Sequence, residues 1–202
     1  VQAERHEIGH FIQASTSSVY GAQAVGDEDC VLAPVSPYGV TKLSGESLVG
    51  AYGSSFGVPY SILRYFSVYG PRQRPDMAFH IMTDKLLRDD VISIYGDGLQ
   101  SRSNTFVSDV VAGTLATLDH GPVRGALNIA GGEEANLLEI IDLLEDRVGR
   151  KARVIHEAPR PGDQRRTFGS TTRARALLGY SPQVGIAEGL ERQVRWHLRT
   201  RP

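Results

Sequence analysis

The sequence predicts an α/β fold built on a parallel sheet, and three features of its first third support that prediction. Phe11–Ser15 has the composition of a short buried strand that ends in a hydroxyl-rich turn. Ser36–Phe56 is a long helical stretch, and Tyr60–Tyr65 is dense in residues that favour β-strands. A buried strand, a helix and a second buried strand form one βαβ unit, in which the two strands lie parallel.

The long helix has clear end signals. Ser36 is a favourable N-cap, because its hydroxyl can accept from backbone N–H groups of the first turn. Pro37 occupies that first turn, where its missing N–H costs nothing. Gly57-Val58-Pro59 ends the helical pattern, so we predict a helix that runs through Phe56.

The rest of the chain continues to alternate between helical and strand patterns. Val1–His10 is predicted as the tail of a helix, Gly70–Pro75 as a loop and Gly96–Gly98 as a turn. Apolar residues at helical spacing predict helices over 78–88, 109–118, 137–148, 171–178 and 186–198. Short apolar runs predict strands over 91–95, 105–107, 126–130 and 153–157.

Composition excludes several classes of protein. The 202 residues are 41% hydrophobic and 22% charged, which suits one large domain, or one and a half, rather than disorder. A net charge of -1 argues against a general nucleic-acid binder. The single cysteine, Cys30, and six dispersed histidines predict no disulfide and no metal site. Apolar runs fall far short of the roughly 20 residues that span a bilayer, so we expect a cytoplasmic protein without a membrane segment or export signal.

The chemistry is concentrated in a tyrosine and a lysine on the long helix. Tyr38 and Lys42 are four residues apart, so their side chains are predicted to project from the same helix face. A tyrosine normally titrates near pH ~10, and a neighbouring cation favours its phenolate. Thr16, at the end of the first strand, would hydrogen-bond the same substrate oxygen. The spacing alone is also compatible with a tyrosine at the surface or the core edge.

Five motifs occur in a characteristic order, and together they indicate a family. They are Ala14–Gly21, Tyr38–Lys42, Arg64–Pro71, Gly96–Gly98 and Arg160–Asp163. The chain resembles the extended short-chain dehydrogenases, the nucleotide-sugar epimerase and dehydratase family, along essentially its whole length. The resemblance implies the C-terminal part of a Rossmann-type parallel sheet over residues 1–75. It also implies a smaller α/β sugar-nucleotide-binding domain, mainly over 76–202, with some segments returning to the sheet.

The resemblance also implies NAD as cofactor and a role for each group of the motif. In the family mechanism Tyr38 takes the proton of a sugar 4-hydroxyl while C4 delivers hydride to NAD. Lys42 also holds the nicotinamide ribose, and Thr16 positions the sugar oxygen. The cofactor-binding residues implied in this way are Ser15, Tyr38, Lys42, Tyr65 and Phe66.

One departure from the family pattern concerns the cofactor. No Gly-x-x-Gly-x-x-Gly follows a first strand, and no acidic residue follows a second strand to hold the adenosine ribose. Such glycines let backbone N–H groups meet the cofactor pyrophosphate. We therefore expect this chain to be a fragment or truncated product that binds NAD poorly by itself.

Ser17 and Ser18 restrict the reaction. Family 4,6-dehydratases carry an Asp-Glu pair at these positions, and decarboxylases carry a glutamate in place of Ser18. Val68–His80 is similar to the corresponding segment of UDP-glucuronate 4-epimerases. The resemblance therefore implies conversion of UDP-glucuronate to UDP-galacturonate through a 4-keto intermediate. The alternatives are a ketoreductase or a UDP-glucuronate decarboxylase of the same family, or a non-catalytic sugar-nucleotide-binding remnant.

The acidic sugar would need a clamp, because a β-keto acid loses carbon dioxide when its carboxylate turns perpendicular to the ring. Hydroxyls of Ser17, Ser18 and Ser67, with Arg74 nearby, would hold that carboxylate. The alternative for Ser17 and Ser18 is a hydroxyl turn that caps local backbone groups.

The resemblance assigns the diphosphate to two arginines. Arg102 and Arg160 match the family positions, and Asp163 would bind a ribose hydroxyl or orient an arginine. Taken singly, each arginine is also compatible with a solvated surface charge. The expected partners are a UDP-sugar and a second copy of the chain. Leu43, Leu48 and Tyr52 would join a four-helix dimer interface or belong to the ordinary core.

Overall fold

The computed structural model describes residues 2–160 and 162–200. Val1, in the predicted N-terminal helix, and Pro161, in the Arg160–Asp163 motif, lie outside the described residues. The helices are α1 (Gln2–Arg5), α2 (Pro37–Phe56), α3 (Ala78–Arg88), α4 (Val107–His120), α5 (Leu137–Val148), α6 (Thr172–Leu178) and α7 (Ile186–Thr200). The strands are β1 (Phe11–Thr16), β2 (Gln23–Gly26), β3 (Tyr60–Tyr65), β4 (Val68–Tyr69), β5 (Val91–Tyr95), β6 (Ser101–Ser103), β7 (Thr105–Phe106), β8 (Ala126–Ile129), β9 (Glu134–Asn136), β10 (Arg153–Glu157) and β11 (Arg166–Gly169).

A parallel sheet in the order β1-β3-β8 organises the first half of the molecule. β1 and β3 run in register, so Thr16 at the end of β1 pairs with Tyr65 at the end of β3. β8 joins the same sheet from the second half of the chain. The predicted α/β fold with a parallel sheet is therefore confirmed.

Helix α2 has the predicted ends. The Ser36 hydroxyl accepts from the backbone N–H of Gly39 at 3.1 Å, and Pro37 is the first helical residue. Gly57 closes the helix in the left-handed conformation, with a φ of 70°, and its N–H donates to the Gly53 carbonyl. This capped helix packs on the parallel sheet and carries Tyr38 and Lys42.

Three further sheets complete the structure. One has the order β2-β11-β6-β9, in which only β9 is antiparallel to its neighbour, and the others are the parallel pairs β5–β10 and β4–β7. The sequence patterns predicted none of β2, β4, β6, β9 and β11. Strands of two to four residues are too short to show periodicity, and they depend on their partners.

Buried apolar clusters support these sheets. Leu63, on β3, and Leu127 and Ile129, on β8, are fully buried on one face of the parallel sheet. A larger cluster, which includes Phe79 and Leu144, fills the space between α3, α5 and the small sheets. Within residues 2–160 and 162–200, the structure has no helix with the length and apolarity that a membrane crossing requires.

Candidate active site

The hydroxyl-rich turn begins where β1 ends and forms a short 3-10 helix, Ser17–Tyr20. The Thr16 hydroxyl accepts from the backbone N–H of Ser18 at 3.2 Å and donates to the Ser18 hydroxyl at 3.3 Å. Ser17 is buried, and Ser18 is half-buried. The alternative interpretation of this turn was that its hydroxyls cap local backbone groups. Thr16 makes such a cap in the structure, and it is also the residue expected to position the sugar oxygen.

The start of α2 lies directly against this turn. A Cβ atom on Gly39 would come within 2.7 Å of the Ser18 carbonyl oxygen, so only glycine permits such close packing. Tyr38, the preceding residue, is 54% exposed. The Lys42 ammonium lies 5.8 Å from the centre of the Tyr38 ring and donates to the Ala14 carbonyl at 3.1 Å. The phenol, the ammonium and the hydroxyl turn thus occupy one corner of the molecule.

A buried ionic network lies beneath this corner. The Arg64 guanidinium, on β3, contacts the Glu46 carboxylate, on α2, with 2.7 Å between Nη2 and Oε2. Arg64 also donates to the Tyr20 hydroxyl at 2.9 Å. Ser15 donates its hydroxyl to the same carboxylate, so its side chain is directed into this network. Sequence reasoning expected Ser15 beside the cofactor and gave Glu46, Arg64 and Tyr20 no role.

Tyr65 and Phe66, which were predicted to bind the cofactor, both have packing partners at the end of β3. Phe66 is fully buried and packs against Tyr20, with 6.2 Å between the ring centres. The Tyr65 hydroxyl hydrogen-bonds that of Thr114 at 2.9 Å, and burial raises the pKa of Tyr65. Both side chains thus contribute to packing, and their place beside the nicotinamide stays a prediction.

A cleft of about 650 Å³ opens beside the end of β3. Its lining includes four of the residues predicted to bind substrate: Ser67, Arg102, Arg160 and Asp163. The guanidinium carbon of Arg160 lies 3.6 Å from the centre of the Tyr95 ring, a cation–π arrangement that sequence reasoning missed. Burial lowers the pKa of Arg102, and the nearby Asp163 carboxylate partly offsets that effect. Two arginines in one cleft, of which Arg102 is partly desolvated, suit an anionic ligand.

Gln164 joins this cleft to the hydroxyl turn. Its side-chain amide donates to the carbonyls of Gly21, at 2.6 Å, and Ser17, at 3.4 Å. The same loop carries Arg160 and Asp163, whose backbone groups hydrogen-bond each other at 3.4 Å. A lone glutamine in a loop carries no signal in the sequence, so this contact could be found only in three dimensions.

Arg74, which was predicted to lie near the three serines, pairs with a carboxylate of its own loop. Its guanidinium makes a bidentate pair with Asp76 at 3.1 and 2.8 Å, and the two side chains are 73% and 68% exposed. Asp76 lines the cleft, whereas Arg74 does not. Residues two apart in an exposed loop can pair locally, and this pairing lowers the pKa of Asp76.

The fold and these groups define a protein of the short-chain dehydrogenase type, with a tyrosine–lysine pair at the carboxyl end of a parallel sheet. A profile of the NAD dependent epimerase/dehydratase family matches residues 2–130. This match covers more than half of the chain, and the chain belongs to that family. The family is NAD-dependent.

The relatives include epimerases and dehydratases. An uncharacterized UDP-glucose epimerase of Bacillus subtilis is 45% identical over 191 residues, covering 94% of this chain and 60% of that protein. The UDP-glucuronic acid 4-epimerase of Bacillus cereus, crystallised with UDP-glucuronic acid and NAD, is 44% identical with a TM-score of 0.91, covering 94% of this chain and 62% of that one. A dTDP-glucose 4,6-dehydratase of Streptomyces venezuelae with bound NAD has a TM-score of 0.94 at 31% identity, covering 98% of this chain and 63% of that one. The chain thus spans about three fifths of the length of these relatives.

Proposed function

We propose that this chain carries the catalytic motif and the sugar-nucleotide site of an NAD-dependent UDP-sugar 4-epimerase that acts on UDP-glucuronate. One observation carries the proposal: Tyr38 and Lys42 share a corner with a turn whose residues after Thr16 are two serines. A phenol can exchange the proton of a sugar hydroxyl, whereas serines supply no titratable acid or base for elimination at C5 and C6.

The residues of this corner fit NAD. Dinucleotides bind at the carboxyl ends of the strands in open parallel sheets, and the exposed Tyr38 phenol lies at that end. Tyr38 and Lys42 would hold the hydroxyls of the nicotinamide ribose. When bound, NAD supplies the acceptor and the donor of hydride.

Tyr38 has the proton-transfer role in this proposal. It takes the proton of the 4-hydroxyl as C4 becomes a ketone, and it returns the proton when the ketone is reduced on its other face. The Thr16 hydroxyl steadies the sugar oxygen during both steps. The Lys42 ammonium lies 5.8 Å from the centre of the phenol ring, beside the group that would exchange the proton.

The cleft supplies the nucleotide site. Its volume of about 650 Å³ lies within the usual range for small-molecule pockets, roughly 300–1,000 Å³. Arg102 and Arg160 would bind the diphosphate. Ser67 lies in the cleft at the end nearest β3, where it would meet the sugar.

Epimerisation of UDP-glucuronate is tested by its products. The complete protein, loaded with NAD, is incubated with UDP-glucuronate, and the nucleotide sugars are separated by chromatography while carbon dioxide is collected. We expect UDP-galacturonate without carbon dioxide. Accumulation of a UDP-pentose would instead indicate a decarboxylase, and a product that needs added NADH would indicate a ketoreductase.

A sugar-nucleotide-binding protein without catalytic activity is a second candidate. The cleft residues that favour it all come from this chain. Calorimetric titration of the 202-residue chain with UDP and with NAD separates the candidates. Binding of UDP alone, with no turnover by the complete protein, would favour this second candidate.

The proposal includes a homodimer through α2. Leu48 and Phe56 are exposed on this helix, and Tyr52 stacks on Phe56 with 5.2 Å between the ring centres. Leu43 packs against the buried cluster around Tyr20 instead. Sedimentation velocity of the complete protein tests the dimer.

Arg102→Met is expected to weaken UDP binding by roughly 10- to 100-fold. An ionic hydrogen bond contributes about 1.5–3 kcal/mol, and methionine keeps the apolar stem of the side chain while removing its charge. Isothermal titration calorimetry with UDP measures the change. The matched control is Arg165→Met, because Arg165 pairs with Asp97 outside the cleft lining. Equal losses in the two variants would contradict the diphosphate assignment.

A further inference from the structure

Glu46 lies on the buried face of the helix that carries the catalytic pair. It follows Lys42 by one helical turn and Tyr38 by two, so all three residues project from one side of α2. Glu46 is only 6% exposed and Arg64 only 4%. Glu46, the last of these three residues, therefore places a buried carboxylate behind the Tyr38 and Lys42 side chains.

The Glu46 carboxylate joins α2 to both central strands. It accepts from the Ser15 hydroxyl on β1 and from Arg64 on β3, with 3.1 Å from Nε to Oε1 and 2.7 Å from Nη2 to Oε2. The other side of the Arg64 guanidinium is held by the Tyr20 hydroxyl and the Glu28 carbonyl, at 2.9 and 3.1 Å. The carboxylate therefore has fixed partners on two elements.

The end of β1 is consequently held by α2 at two successive residues. Lys42 donates to the Ala14 carbonyl at 3.1 Å, and Glu46 accepts from the side chain of Ser15. The next residue is Thr16, which would position the sugar oxygen. These two contacts fix the distance between Thr16 and the Tyr38 phenol, which both touch the same substrate atom in the proposed reaction.

Stability alone is a weak explanation for this arrangement. Desolvation of two buried charges offsets most of their attraction, and an apolar pair of similar volume is often as stable. A directional, bidentate pair does provide a defined geometry. Proton transfer depends on such geometry, since a misplacement of about 1 Å can reduce the rate about 100-fold.

We propose that Glu46 is a positioning residue for the reaction: through Ser15 and Arg64 it sets the end of β1 against the tyrosine–lysine pair. This proposal rests on the proposed function. Glu46 touches no substrate atom, and it acts through Ser15, whose hydroxyl it orients, and through the strand that leads into Thr16.

The experiment compares three variants of the complete protein with the wild type. Glu46→Gln removes the charge and leaves a single acceptor oxygen for three donor groups, the Ser15 hydroxyl and two N–H groups of Arg64. Ser15→Ala removes only the contact to β1 and keeps the ion pair, so it serves where Glu46→Gln fails to fold. The matched control is Glu28→Gln, because Glu28 is a similarly buried glutamate whose carboxylate accepts from the backbone N–H of Asn128 at 2.7 Å, while its contact with Arg64 is made by the backbone carbonyl, which the substitution keeps.

Steady-state kinetics give the first readout. We expect Glu46→Gln and Ser15→Ala to lower kcat by roughly 10- to 100-fold, with KM for the UDP-sugar within about threefold of wild type. The kcat of the double variant should be no lower than that of the poorer single variant, because both substitutions act on the same contact between Ser15 and Glu46. Glu28→Gln should keep kcat. A kcat for Glu28→Gln as low as that for Glu46→Gln, or losses that multiply in the double variant, would overturn the proposal.

Hydrogen exchange gives a readout that needs no turnover. Amides of residues 11–18 should exchange faster in Glu46→Gln and Ser15→Ala than in Glu28→Gln, when the three are compared at equal global stability. Equal exchange in all three variants would overturn the positioning role. If the wild-type protein converts no UDP-glucuronate, the proposed function fails, and the exchange measurement alone decides the role of Glu46.

Discussion

Tyr38→Phe is expected to abolish epimerisation while leaving the sugar nucleotide bound. In the proposed reaction the Tyr38 phenol exchanges the proton of the sugar 4-hydroxyl. Phenylalanine keeps the ring but removes the phenolic hydroxyl. General acid–base catalysis contributes roughly 10²- to 10⁴-fold, so we expect kcat to fall by at least about 100-fold. The diphosphate would still meet Arg102 and Arg160 in the cleft, whose lining does not include Tyr38. The dissociation constant for UDP should therefore stay within about threefold of wild type.

The control for this variant is Tyr52→Phe. Tyr52 lies on the same helix, but it stacks on Phe56, away from the hydroxyl turn. Initial rates with UDP-glucuronate and calorimetry with UDP are measured for both variants. Turnover retained by Tyr38→Phe, or lost to the same degree by Tyr52→Phe, would show that the phenol of Tyr38 is not the proton carrier.

Gly131→Ala is expected to cause a large loss of folding stability. Gly131 follows β8 and lies against the backbone of β6 and β7. A Cβ atom there would lie 1.9 Å from the Asn104 carbonyl oxygen and 2.8 Å from its carbon. The Gly131 N–H also donates to the Thr105 hydroxyl at 2.8 Å, and its carbonyl accepts from the Ser103 hydroxyl at 2.9 Å. These hydrogen bonds hold Gly131 against residues 103–105, so the two segments cannot move apart to make room for a methyl group without breaking them. We expect the free energy of unfolding to fall by about 3 kcal/mol or more.

Gly125→Ala is the matched control, because Gly125 immediately precedes the same strand. No atom lies within 4 Å of a Cβ built there, and its φ is not positive. The added methyl group should change the free energy of unfolding by less than about 1 kcal/mol in either direction. Urea unfolding measures both variants. Similar losses for the two would mean that the close approach at Gly131 does not limit stability.

The fold was predictable where periodicity and end signals agree. Ser36, Pro37 and Gly57 delimit α2 at the observed residues, and the β-rich run at Tyr60–Tyr65 is a buried parallel strand. The short strands β2 and β11 were not predictable, because each is defined by pairing with the other across more than 140 residues of chain. Local patterns do not encode such distant partners.

Parts of the site were predictable where a side chain's type and its spacing within a short motif already indicate its function. Tyr38 and Lys42 lie on one helix face as their spacing requires, and Ser67, Arg102, Arg160 and Asp163 line one cleft. Arg74 was expected near the serines, and in the structure its guanidinium pairs with Asp76, two residues away. Glu46 and Gln164 were missed, since their roles arise from neighbours distant in sequence.

The Gln164 amide has a mechanical consequence. It spans the carbonyls at both ends of the hydroxyl turn while its own loop carries Arg160 and Asp163. If an incoming diphosphate displaced this loop, the hydrogen bonds from Gln164 would transmit the displacement to Ser17 and Gly21. A shift of the turn would likewise displace the loop that carries Arg160. In the proposed function, binding of the diphosphate and placement of the sugar would therefore be coupled through the side chain of Gln164.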